Sequence, residues 1–156
     1  MASKILIVED EPLIALDIKR RLLRLNYQVV AIAKSAQRAL EAVAEFQPDL
    51  VLMDIQLEGD VNGSQTADQI RTQYQIPIVF LTAHADHVTL NQAKATQPFG
   101  YIVKPFENQD LSTAIEIAFS RYQANLVIQQ ALVGWGVSRY TIPKRLKPFL
   151  YTSIEM

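Results

Sequence analysis

The sequence predicts an α/β fold: a parallel sheet of five strands covered by five helices in three layers. Three observations carry that expectation. Short apolar runs alternate with stretches of helical periodicity, the mark of repeated βα units. Four of the runs lead into residues able to do chemistry. Asp10 follows Ile5-Leu6-Ile7-Val8 and Glu9, Asp54 follows Leu50-Val51-Leu52-Met53, Thr82 follows Ile78-Val79-Phe80-Leu81, and Lys104 follows Tyr101-Ile102-Val103. The length, 156 residues, suits one domain able to bury most of its apolar surface.

Each element has a local reason. Strand one is expected over Lys4–Val8. Pro12 opens a helix at a position where its missing N–H costs nothing, and Leu13, Leu16, Leu22, Leu23 and Leu25 recur at roughly helical spacing up to Asn26. The Asn26-Tyr27 turn leads to strand two, Gln28–Ala33. Ser35 is the expected N-cap of a helix carrying Ala36, Leu40, Val43 and Phe46. Pro48-Asp49 stops that helix and opens strand three. After a loop holding Gly59 and Gly63, Ala67, Ile70 and Tyr74 mark a third helix. Pro77 begins strand four, where a missing donor is tolerated. A fourth helix is expected over about 86–95, with the thin apolar face Val88, Leu90, Ala93 and Ala95. Gly100 ends that connection and strand five follows. A fifth helix starts near Asn108, carries Leu111, Ile115, Phe119, Tyr122 and Leu126, and reaches as far as Val133 before Gly134-Trp135-Gly136.

Composition narrows the function. At 49% hydrophobic and 20% charged residues the chain is globular in character, and a net charge of −1 with interspersed signs gives no general case for nucleic acid or anionic membrane. The absence of cysteine excludes disulfides and thiolate metal sites. No apolar stretch approaches membrane-spanning length, and the N-terminal run is too brief for a signal-peptide core, so a cytoplasmic protein is expected.

If the runs are parallel strands, their carboxyl ends gather two acids, a hydroxyl and an ammonium where open α/β sheets bind ligands. A carboxylate can serve as a nucleophile toward phosphorus, and Asp54 ends the central strand. Attack by an anion on an anionic phosphoryl group needs its charge neutralised. Clustering Glu9, Asp10 and Asp54 without a cation is costly: each close pair repels by roughly 4 kcal/mol at an effective dielectric near 20. The cluster therefore implies a metal, and Mg2+ on carboxylates, waters and phosphoryl oxygens answers the need.

The stretch Ile5-Leu6-Ile7-Val8-Glu9-Asp10-Glu11, the Leu50-Val51-Leu52-Met53-Asp54 strand, Leu81-Thr82-Ala83 and Lys104-Pro105-Phe106 together resemble the receiver domain of two-component response regulators, from about Lys4 to Tyr122. The resemblance implies a flavodoxin-like (βα)5 sandwich with sheet order 2-1-3-4-5, a receiver over residues 1–122, and a helix-five extension and tail over 123–156. It implies phosphorylation of Asp54 by a histidine kinase or phosphotransfer protein, with only self-phosphorylation and slow autodephosphorylation as activity. Asp10 and Asp54 would hold the metal, Glu9 would act through water or beside it, and the Gln56 carbonyl would complete the set. Lys104 would pair with Asp54 and then with a phosphoryl oxygen. Thr82 and Tyr101 would switch the conformation, and the Lys104–Pro105 bond would be cis. Output would be read on the face of the fourth helix, fifth strand and fifth helix. Two departures stand out: Glu58-Gly59 occupies a place where many receivers have proline, in a segment one residue longer than the commonest pattern, and Glu9 replaces the more frequent aspartate.

Other readings compete. A magnesium-dependent phosphohydrolase with an aspartyl-phosphate intermediate uses similar residues but needs a second acid two places beyond the nucleophile, where this chain has Gln56. A binding module that is never phosphorylated is the third. His84 and His87, three apart, read as solvated surface, although His84 occupies a position that tunes phosphoryl lifetime in the family. Lys19, Arg20, Arg21 and Arg24 read as a solvated helix face. The tail combines Trp135, Tyr140, Phe149 and Tyr151 with Arg139, Lys144, Arg145 and Lys147. It is expected to serve self-association, through the extension or the output face, or packing on its own domain, rather than a nucleic-acid contact, with disorder as a third reading.

Overall fold

In the computed structural model, the described residues are 2–55, 63–82 and 100–134. The expected fourth helix, Gln56, Glu58-Gly59, His84, His87 and the chain beyond Gly134 lie outside them. The elements are β1 (Lys4–Val8), α1 (Pro12–Arg24), β2 (Gln28–Ala33), α2 (Ala36–Phe46), β3 (Leu50–Asp54), α3 (Gly63–Tyr74), β4 (Ile78–Thr82), β5 (Gly100–Val103) and a long last helix (Asn108–Gly134). The sheet is parallel in the order β2-β1-β3-β4-β5. The chain leaves β1 toward one edge and β3 toward the other, so the crevice between them is the topological switch point.

Alternation sorts the strands into two cores. Leu6, Val8, Val51, Met53, Ile78 and Phe80 pack with Ala39, Val43, Ala67 and Ile70 beneath α2 and α3. Ile5, Ile7, Leu50, Leu52, Val79 and Leu81 pack with Ile18, Leu22, Leu111, Ile115 and Ala118 beneath α1 and the last helix. Both faces of the central strands are covered, which is why they read as unbroken apolar runs.

The strands start and stop close to where periodicity places them, with two refinements: Asp54 and Thr82 are the last residues of their strands rather than the first beyond. Ser35 caps α2, its side chain accepting from the Arg38 N–H at 3.2 Å. Gln47 closes that helix in the left-handed region at φ 46°. Pro77 lies just before β4 yet still joins the sheet, because its carbonyl accepts from the Val51 N–H at 3.0 Å.

The core face of α1 differs from the expected leucine stripe. Ala15, Ile18 and Leu22 are buried, whereas Leu13 is 79% exposed and Leu16 and Leu23 also face solvent. The buried set follows a true 3-4 phase, and helical phase overrides residue type. Phe46 and Tyr74, expected on core stripes, are likewise exposed at their helix ends. The last helix continues through the expected end at Val133 to Gly134, 27 residues or about 40 Å. No described helix is long and apolar enough to cross a membrane.

Candidate functional site

Glu9 and Asp10 follow β1, Asp54 and Thr82 end β3 and β4, and Lys104 follows β5, so all five stand at the carboxyl edge of the sheet. Backbone bonds hold this edge in register. The Glu9 N–H donates to the Ala33 carbonyl at 2.9 Å, the Ile55 N–H to Leu81 at 3.1 Å and the Lys104 N–H to Thr82 at 2.7 Å.

The side chains converge. One oxygen from each of Glu9, Asp10 and Asp54 lies within 4.8 Å of the others. The Lys104 ammonium donates to Glu9 Oε2 at 3.1 Å and to Asp54 Oδ2 at 3.2 Å. Glu9 is 1% exposed, Asp54 8% and Thr82 4%, so these polar groups are largely withdrawn from water. Withdrawal sets the electrostatics. Burial, reinforced by Asp54 and opposed by Lys104, raises the Glu9 carboxyl to about 7. Burial pulls Lys104 down, but the charges and hydrogen bonds of Asp54 and Glu9 outweigh it and hold the ammonium above its ordinary value.

Three carboxylates gathered around one ammonium leave excess negative charge, which adds to the effect of burial in favouring a proton on Glu9 near neutrality. An all-oxygen donor set of this size suits a hard divalent cation such as Mg2+ and not a soft metal.

Gly63 fixes the far end of the β3–α3 connection. Its N–H donates to the Ile55 carbonyl at 2.6 Å, and a Cβ there would sit 2.2 Å from the Asp54 carbonyl oxygen and 2.9 Å from Ile55 Cα. Only a residue without a side chain allows α3 to start directly against the backbone of Asp54.

Tyr101, in β5, packs with the core beneath α2 and α3 and stacks on Phe80, with ring centroids 6.1 Å apart and planes at 24°. Its hydroxyl is buried without a hydrogen-bond partner among the described residues, and burial pushes it up to about 12. The Lys104–Pro105 bond is cis, as expected.

Two features escaped the sequence. The Lys104–Glu9 bond joins residues 95 apart, where only the pairing with Asp54 was expected. Arg21, assigned to a solvated face, is 28% exposed and reaches the loop after Lys104. Periodicity gives the phase of a helix but not the reach of a long side chain.

Comparison with known proteins agrees with this geometry. The family model described as "Response regulator receiver domain" matches residues 5–116. The transcriptional regulatory protein PdtaR of Mycobacterium tuberculosis is 37% identical over 120 residues, 77% of this chain and 58% of that protein. The phyllosphere-induced regulator PhyR of Methylorubrum extorquens is 32% identical over 76% of this chain and 44% of its own length. The chain thus spans about half the length of these curated relatives. Among solved structures, the N-terminal domain of a response regulator/sensory box/GGDEF protein from Carboxydothermus hydrogenoformans superposes with a TM-score of 0.72 at 39% identity, covering 79% of this chain and 98% of that one. The signal receiver domain of a modulated diguanylate cyclase from Desulfovibrio desulfuricans G20 gives 0.75 at 32%, covering 80% and 98%.

Proposed function

Because this chain belongs to the response regulator receiver domain family, we propose that Asp54 is its phosphoryl acceptor and that a histidine kinase or phosphotransfer protein is the donor. The observation that carries the reading is the convergence of Glu9, Asp10 and Asp54 around one point with Lys104 bonded to two of them. Members of this family act as signalling regulators rather than metabolic enzymes.

Asp10 and Asp54 would hold Mg2+ directly, with Glu9 beside it and the Gln56 carbonyl, outside the described residues, completing the protein ligands. When bound, the ion neutralises charge on carboxylate and phosphoryl oxygens. The remaining work belongs to the chain. An Asp54 carboxylate oxygen attacks phosphorus, the O–P bond forms as the P–N bond to the donor imidazole breaks, and the imidazole takes up a proton. Lys104 moves its ammonium from the Asp54 carboxylate to a phosphoryl oxygen, balancing the added charge. The Thr82 hydroxyl donates to another phosphoryl oxygen. Coupling of Thr82 to Tyr101 through β4 and β5 would then shift a two-state equilibrium. Slow hydrolysis of the aspartyl phosphate resets it.

In this reading residues 1–122 form the receiver and 123–156 an interaction segment, with a second copy as its partner or with the output face as the contact. The setting is cytoplasmic. Incubation with Mg2+ and a small acyl phosphate tests the core of the proposal by intact mass. A stable gain of one phosphoryl group, absent in Asp54→Asn and without Mg2+, is expected. Rapid turnover of many phosphate esters would instead indicate a phosphohydrolase, and no reaction a binding module.

A further inference from the structure

Lys104 has to present its ammonium to the acceptor from a four-carbon stem, so its main chain must be fixed. On one side the sheet does this, through the Lys104 N–H to the Thr82 carbonyl at 2.7 Å. On the other side follow Pro105, which has no N–H to donate, then Phe106 and Glu107 before the last helix begins at Asn108. The Glu107 N–H turns into its own helix, donating to Asp110 Oδ2 at 2.8 Å.

Phe106 packs against the core beneath α1 and the last helix, and Arg21 of α1 adds directed contacts that fix how the segment sits. Its Nη1 donates to Asn108 Oδ1 at 2.8 Å, and its guanidinium carbon lies 5.5 Å from the centre of the Phe106 ring. Nε donates to Asp17 Oδ2 at 2.9 Å, which orients the planar fork. One side chain therefore grips the chain two and four residues beyond Lys104, across 87 positions of sequence. A surface arginine serving only solubility would not be held by two partners and a ring; three directed contacts on one guanidinium describe a clasp.

We propose that Arg21 is a positioning residue for Lys104: it anchors the Phe106–Asn108 segment to α1 so that the ammonium reaches Asp54. The proposal rests on Asp54 being the phosphoryl acceptor. It also ties a residue of the α1 surface to the charge that the acceptor senses. Lysine cannot replace arginine here, because a point charge cannot both bond Asn108 and lie over the Phe106 ring while bonding Asp17.

Arg21→Met is expected to slow phosphorylation by a small acyl phosphate in Mg2+ about tenfold. Its Mg2+ affinity should rise rather than fall, because the carboxylates remain while the ammonium that neutralises Glu9 and Asp54 is loosened, and Arg21→Lys should fail to restore the rate. In a Lys104→Ala background, Arg21→Met should add nothing, because the two act as one unit. Additive losses, or a rate equal to that of the unaltered chain, would overturn the proposal. Should Arg21→Met not fold, Asn108→Ala cuts the same clasp from its other end and is held to the same outcomes. A second readout does not depend on phosphorylation: the unaltered chain is expected to show a slowly exchanging Lys104 ammonium signal in nitrogen-15 NMR that broadens away in Arg21→Met, and an undiminished signal in Arg21→Met would overturn the proposal. If the unaltered chain accepts no phosphoryl group, the reading of function fails, while this signal still decides whether Arg21 positions Lys104.

Discussion

One residue along each strand separates two kinds of interior. Val8, Met53 and Leu81 are fully buried apolar side chains, while Glu9, Asp54 and Thr82, one step later, are almost as buried and polar. The apolar set is held by area removed from water, a term without direction that tolerates small shifts. The polar set is held by a few directed bonds, and its like charges repel. The first layer stabilises the fold; the second costs stability and is kept for its chemistry, the expected trade at a functional site.

Substitutions at the boundary should separate the two layers. The largest effect is expected at Gly63, where a Cβ would fall 2.2 Å from the Asp54 carbonyl oxygen. Gly63→Ala should destabilise by at least about 3 kcal/mol and abolish phosphorylation, because main chain rather than a flexible side chain must move. Urea denaturation and intact mass check both halves. Within the apolar layer, Leu52→Ala should cost about 2–5 kcal/mol, and molecules that remain folded should still be phosphorylated.

A pH series sharpens the contrast. Glu9 is raised from 4.5 to about 7 in the folded chain, so the native state holds a proton that the unfolded state has released. Without Mg2+, stability should therefore fall as pH rises from about 4.5 to 7 and then level off. Glu9→Gln should lack this decline, and chemical denaturation across that range reads it. A parallel decline in both chains would remove Glu9 as its source. The smallest effect is expected at Tyr101, whose hydroxyl is buried without a partner among the described residues. Tyr101→Phe should be neutral or stabilising by about 1 kcal/mol, read from the denaturation midpoint.

The two layers also differ in how far they can be read in advance. The extents of β1 and β2 and the Ser35 cap follow from local chemistry and appear where that chemistry puts them. The acids, Thr82 and Lys104 were legible because a residue at a strand end has a known destination once the sheet is parallel. The α1 leucines mislead because residue type suggests burial where helical phase does not, and Ala15 and Ile18 take the buried positions. Arg21 and the Lys104–Glu9 bond were not legible, since both join residues distant in sequence through side-chain reach, which no local pattern records. Gly63 reads as a loop glycine in sequence; its approach to the Asp54 backbone is a property of the folded chain.

If the three acids stand together against their own repulsion for the sake of a cation, thermal denaturation of the unaltered chain and of Asp10→Asn, each with and without Mg2+, will reveal it. Asp10→Asn should melt higher than the unaltered chain when metal is absent, and Mg2+ should raise only the unaltered chain by mass action. A lower melting point for Asp10→Asn without metal, or an equal rise of both with Mg2+, would contradict it.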